Sequence, residues 1–176
     1  MSRPSGMTAG RRIFLAAHVC VVAFAAFAAA VIGALYPLRY ERQAAAAARE
    51  FGLSPALVLA VAATESRLDA AAVSRAGARG LMQLMPDTFA FAKTQVAGLT
   101  DIDDPRANLR AGCWYLSYLL ARFPLPDALA AYNAGEGRVR AWLDAGLDEY
   151  PFPETRAYVV KVLRAERAYA FRLRGR

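Results

Sequence analysis

Few groups in this chain can move protons. Its one histidine, His18, lies inside an apolar run near the N-terminus. The remainder therefore has no imidazole for a serine–histidine or cysteine–histidine nucleophile. Of the two cysteines, Cys20 lies in the same apolar run and Cys113 stands far from it in sequence. One cysteine without histidine does not make a zinc site of the usual kind, so neither a metal nor a cofactor is expected. The glycine-containing stretches 77–80 and 135–137 fall between helical segments rather than after strands, which argues against a phosphate-cradling loop. Proton transfer is left to carboxylates and tyrosines.

One carboxylate stands out by position. Val58, Val61 and Ala62 form an apolar stripe at helical spacing, and the next position on that stripe is Glu65. A glutamate that continues a buried face is costly as an anion. An apolar pocket favours its neutral form, which suits a general acid near neutral pH. Hydrolysis by paired carboxylates needs a second acid, and Asp69, four residues on, is the candidate. Its spacing equally suits a residue that caps the following loop.

The segments that must position Glu65 read as helices. Residues 40–51 form an Ala-rich helix stopped by Gly52. Ser54-Pro55 gives an N-cap and a proline at the first helical position of a helix to about Arg67. Asp104-Pro105 repeats that signal, and Leu109, Cys113, Leu116, Leu120 and Phe123 then recur at helical spacing with Leu119 beside them. Pro126-Asp127 opens a short helix to about Tyr132, residues 139–145 form another, and residues 154–173 form a long closing helix. No segment alternates as a strand, so the expected class is all-α. Trp114, Tyr115 and Tyr118 read as packing rings, and Cys113 as a small buried hydrophobe.

The first 36 residues read as an address. No formal charge occurs over residues 13–36, a stretch of 24, and about 20 apolar residues cross a bilayer. Arg3, Arg11 and Arg12 precede it with no acidic residue, which predicts a cytoplasmic N-terminus over 1–12, a single-pass signal anchor over 13–36 and a catalytic domain outside over 40–176. A cleaved signal peptide is the rival, although its apolar core is usually shorter. Arg11-Arg12 also resembles part of a twin-arginine signal. The net charge of +7 is spread along the chain, which suits an anionic polymer or membrane surface and not nucleic acid.

Four motifs then follow in order: Glu65-Ser66, Gly-Leu-Met-Gln-Leu-Met-Pro at 80–86, Ala-Tyr-Asn-Ala-Gly-Glu-Gly-Arg-Val at 131–139, and Pro-Phe-Pro-Glu-Thr-Arg-Ala-Tyr-Val at 151–159. Together they resemble the catalytic domain of the soluble lytic transglycosylases, glycoside hydrolase family 23. The resemblance implies a lysozyme-like helical domain that cleaves the β-1,4 bond between N-acetylmuramic acid and N-acetylglucosamine in peptidoglycan. By that analogy Glu65 first protonates the leaving oxygen and then takes the proton of the muramyl C6 hydroxyl, leaving a 1,6-anhydro end. The resemblance also implies that Gln83 and Met85 line the sugar groove and that Tyr132, followed by Asn133, stands near the catalytic glutamate. Glu154 would contact substrate, Tyr158 would face the same cleft, and Ser66 would orient groups around Glu65. The family's Asn-Pro after Glu-Ser is replaced here by Asp69-Ala70. A goose-type-lysozyme-like hydrolase using Asp69, a chitin-active enzyme and a non-catalytic wall-binding scaffold of an envelope machine are the alternatives.

Overall fold

A computed structural model describes residues 9–174, which fall into two units divided after Pro37. The first consists of α1 (Ala9–Leu35), about 40 Å long at 1.5 Å per residue. Its stretch Phe14–Leu35 is long and apolar enough to cross a membrane. Phe14, Val19, Phe24 and Phe27 are exposed along it, and no side of that stretch carries a charged residue. Helical geometry starts earlier than the apolar run, at Ala9, and runs on through Gly10. The predicted cytoplasmic segment lies outside the described residues up to residue 8.

The second unit contains α2 (Glu41–Glu50), α3 (Pro55–Ser66), α4 (Pro86–Gln95), α5 (Pro105–Leu120), α6 (Leu125–Ala134), α7 (Glu136–Asp144) and α8 (Pro153–Leu173). Among the described residues there is no strand. Two isolated bridges, Val73 to Arg79 and Arg79 to Leu84, are the only sheet-like pairings there. The core helix is α3. Leu57 through Ala62 are buried on every side, and α3 packs most extensively against α8 and also against α2. A helix that is apolar all round belongs inside. By contrast α2 buries one face only, through Ala44, Ala47 and Ala48, whose missing side-chain bulk permits close approach.

Local signals account for most helix starts. Asp104 caps α5, its carboxylate accepting from the backbone N–H of Arg106 at 2.7 Å and of Ala107 at 2.8 Å. Pro55 and Pro105 occupy early positions in their helices, where a missing N–H costs nothing. Three details differ from the sequence reading. First, α4 forms where no helix is expected, opened by Pro86 with Asp87 in its first turn and held by buried Phe89 and Ala92. Second, Leu119 rather than Leu120 is fully buried on α5. Third, α7 starts at Glu136, so Gly137 is helical and only Gly135, at φ 97°, makes the turn. After α3 the chain leaves through two consecutive left-handed residues, Arg67 (φ 56°) and Leu68 (φ 60°). Leu68 is fully buried, and that burial holds the turn in place against its backbone cost.

Candidate active site

The last turn of α3 carries Glu65 to the face of α8. There the Tyr158 hydroxyl donates to Glu65 Oε1 at 2.7 Å. Burial pushes the Glu65 carboxyl up to about 7, and two neighbours pull the other way: the Tyr158 hydrogen bond and then the charge of Lys161. Lys161 sits one turn beyond Tyr158 on α8, its Nζ 3.5 Å from the Thr64 carbonyl. Burial, and the nearby Glu65 charge, hold the Tyr158 phenol well above its ordinary value, so it remains a donor. The Tyr132 phenol is held up in the same way, with burial first and Glu65 second. Among the described residues no other carboxylate acts on Glu65. Asp69, the candidate second acid, is exposed in the following loop and accepts from its own neighbour's backbone, Ala71 N–H, at 3.0 Å. That is an Asx turn, the loop-capping option its spacing allowed.

A second feature lies directly beside Glu65. Residues Gly80, Leu81, Met82 and Gln83 form a tight turn closed by paired bonds between Arg79 and Leu84, each backbone N–H donating to the other's carbonyl at 3.0 Å. Three helices grip this turn through side chains. Ser66, next to Glu65 on α3, donates to the Leu81 carbonyl at 2.8 Å as well as back to Ala62 at 3.1 Å. Tyr132, on α6, donates to the Met82 carbonyl at 2.8 Å. Asn108, fully buried on α5, accepts from Met82 N–H at 2.8 Å and donates to the carbonyls of Arg79 and Ile102 at 3.0 and 2.9 Å. Space for the grip depends on Gly80: a Cβ there would lie 2.3 Å from Asn108 Nδ2, and its φ of 77° already excludes most residues. Gly112 makes room in the same way for the Met82 side chain, whose sulfur would lie 2.3 Å from an added Cβ. Arg79 further ties the turn to the loop before α5 by a two-pronged bond to Asp103, at 2.8 and 2.5 Å.

The other expected residues fall around this centre. Gln83, at φ 46°, spends its side-chain NH2 on the carbonyls of Ala72 and Gly80, at 3.0 and 2.9 Å, and so braces the turn from within. Met85 ends the turn with 43% of its surface exposed, while Met82 and Leu84 are buried. Asn133 accepts from the buried Thr155 hydroxyl at 3.0 Å, joining α6 to α8. Glu154 is exposed in the first turn of α8, one turn before Tyr158 and so on the same side. Trp114 and Tyr118 meet Phe91 edge-on, Tyr115 stacks on Tyr118, and Tyr115 meets the Tyr132 ring at 5.5 Å. Sequence reading did not single out Asn108, Thr155 or Lys161. Only the first left a trace there, as an asparagine on the otherwise small and apolar side of a helix.

Residues 42–148 match the model of the transglycosylase SLT domain. The chain is 35% identical over 150 residues to the soluble lytic murein transglycosylase of Salmonella typhimurium, covering 76% of this chain and 23% of that protein. It is 36% identical over 110 residues to the membrane-bound lytic murein transglycosylase F 1 of Alkalilimnicola ehrlichii, covering 58% of this chain and 21% of that one. Among solved structures, an inactive glutamate-to-glutamine mutant of the lytic transglycosylase Slt from Pseudomonas aeruginosa superposes with a TM-score of 0.71 at 34% identity, over 78% of this chain and 25% of that one. The chain thus spans about a quarter of the length of these relatives.

Proposed function

The chain belongs to the transglycosylase SLT family, and from that premise we propose that it is a glycan-cleaving enzyme of peptidoglycan with Glu65 as its general acid and base. The observation that carries this reading is a carboxyl brought to about 7 by burial, hydrogen-bonded to Tyr158, with no second carboxylate acting on it among the described residues. At neutral pH such a group is present in both forms and can give and take a proton within one turnover.

In the proposed reaction Glu65 donates its proton to the oxygen linking N-acetylmuramic acid to N-acetylglucosamine, and the bond from C1 to that oxygen breaks. The carboxylate so formed is stabilised by the Tyr158 hydroxyl. It then accepts the proton of the muramyl C6 hydroxyl as that oxygen bonds to C1. The acid is regenerated, the product is a 1,6-anhydro ring, and no water is consumed. Attack within one sugar gains from proximity, and it does not require the water-activating carboxylate of an inverting hydrolase. The exposed, self-capped Asp69 supports this choice over a goose-type-lysozyme-like hydrolase. For the neighbours, the proposal assigns sugar contacts to Gln83 through its amide oxygen, and to Met85, Glu154, Asn133 and Tyr158. Ser66 and Tyr132 act through the turn they hold. The relatives' printed names, lytic murein transglycosylases, support the substrate class.

We further propose that α1 anchors the domain over 40–176 to the cytoplasmic membrane, with residues 1–12 inside and the wall-facing domain outside. The length and apolarity of Phe14–Leu35 and the arginines before it support this topology. Purified peptidoglycan digested with the protein and with its Glu65→Gln variant tests the reaction. Anhydro-ended products from the former alone are expected, and reducing-end products would overturn the proposal.

A further inference from the structure

Aromatic rings form an unbroken run that starts near Glu65 and continues along α5 to α4. Tyr132, whose phenol feels the Glu65 charge, meets the Tyr115 ring at 5.5 Å. Tyr115 stacks on Tyr118 at 6.1 Å, Tyr118 meets Trp114 at 5.6 Å, and Trp114 meets Phe91 of α4 at 5.0 Å. Helical spacing sets this up: Trp114 and Tyr118 are one turn apart on α5, and Phe91 stands edge-on to both. Packing alone does not account for the run. On the same helix Leu116 and Leu119 are fully buried, whereas Trp114, Tyr115 and Tyr118 are half-buried and Phe91 keeps 42% of its surface exposed. Contiguous rings left open to solvent mark a surface that meets something else. The rings differ in what they can still offer. The Arg122 guanidinium lies 3.5 Å over the Tyr118 ring and takes one of its faces. Among the described residues no cation lies over Trp114 or Phe91. A polar edge borders the rings, since Arg122 Nε is 3.7 Å from Glu136 Oε1 and the Glu136 charge reaches Tyr115.

We propose that Trp114 and Phe91, with Arg122 and Glu136 at their edge, form an outer subsite for sugars of the glycan strand beyond the two that flank the cleaved bond. The assignment rests on the substrate class proposed above. A pyranose ring has an apolar face of C–H groups, which suits the negative face of an aromatic ring. Its hydroxyls point outward around that face, where a guanidinium donates to them and a carboxylate accepts from them. Rings bordered by such a pair therefore match a sugar better than a purely apolar partner. Continuity indicates which sugar. The run begins at Tyr132, whose hydroxyl holds the turn beside Glu65. A polymer cut at Glu65 must pass on from there, and the outer rings offer its next units a surface. Binding energy gained so far from the reacting bond can be used to hold the inner sugars in a reactive shape.

Fluorescence on the full-length protein in neutral maltoside micelles tests the subsite. The chain has two tryptophans, so Trp142→Phe leaves Trp114 as the sole indole reporter. In the Glu65→Gln/Trp142→Phe variant, Trp114 emission is followed while peptidoglycan glycan fragments, disaccharide and octasaccharide, are added, with binding itself read by calorimetry. The octasaccharide should shift the emission saturably and the disaccharide leave it unchanged. With Glu65 intact, Phe91→Leu/Trp114→Leu should lower kcat/KM on long strands by about tenfold, and on the shortest cleaved fragment by much less. Equal losses on long and short strands would mean a packing role and overturn the subsite. So would an octasaccharide that binds without moving the Trp114 emission, a reading that stands even where the double leucine variant does not fold. A shift produced by the free stem peptide in place of the glycan would give the surface to the peptide and also overturn it. Failure of any fragment to bind would instead end the substrate class on which the subsite rests. The reaction is read apart from all of these by its products: reducing ends would end the transglycosylase reading and leave the titration's answer standing.

Discussion

At the residue scale the proposal turns on one carboxyl, Glu65, which burial holds above the ordinary carboxylate range. Its raised value has a consequence for stability as well as for catalysis. A carboxyl that titrates near 7 when folded and near 4.5 when unfolded holds its proton more tightly in the native state. Its contribution is complete below about pH 4.5 and is lost as pH rises through 7, about 3 kcal/mol in all. Glu65→Gln should therefore be inactive yet more stable than the parent at pH 8, with the gap closing toward pH 4.5; urea melts at both ends of that window read it. Tyr158→Phe removes the stronger of the two influences that favour the carboxylate. Glu65 should then keep its proton to higher pH, and the alkaline limb of kcat/KM should move up by on the order of one unit. Lys161→Met should move it in the same direction by less. The place of Glu65 at the end of a buried stripe was legible in the sequence, because a glutamate on an apolar stripe is a local pattern. Tyr158 as its partner was legible only as one face of one helix, since the contact joins residues 93 positions apart. Lys161 left no signal, because a lysine on a long helix reads as a solvated face.

At the scale of elements, the turn at 80–83 is held by helices that come from three parts of the chain. Asn108→Ala would take the partner from the buried Met82 N–H and from the Ile102 carbonyl, while the Arg79 carbonyl keeps its bond from Leu84 N–H. A loss of about 3 kcal/mol or more is expected in denaturant melts. Ser66→Ala should cost about 1–2 kcal/mol and also lower kcat, since the turn it holds is adjacent to Glu65. Helix starts were readable wherever proline followed a capping residue, as at Ser54-Pro55 and Asp104-Pro105, because those signals act within one turn of chain. The start of α4 has the proline but no capping residue, since Met85 precedes it, and Pro86 there reads as the end of a motif. The burial of Leu119 over Leu120 is set by which neighbours α5 meets, which no spacing rule contains. The grip on the turn was not readable at all: Ser66, Asn108 and Tyr132 are side chains that the fold alone brings to one backbone.

At the scale of the whole molecule, a helical domain of the transglycosylase SLT family follows in sequence on a helix suited to a bilayer. The expectation is that deleting residues 1–36 releases the protein from membranes while cleavage of soluble glycan fragments persists; sedimentation with an activity assay on both fractions checks it. The division into two units was plain from composition, because an uncharged run of 24 residues has few other uses. The central claim concerns the reaction. Purified peptidoglycan digested by the protein and by Glu65→Gln, with products weighed by mass spectrometry, tests it most directly. Fragments one water lighter than hydrolytic ones, ending in 1,6-anhydro-muramic acid and absent with the variant, are expected. Reducing-end fragments, or anhydro products that persist with Glu65→Gln, would contradict it.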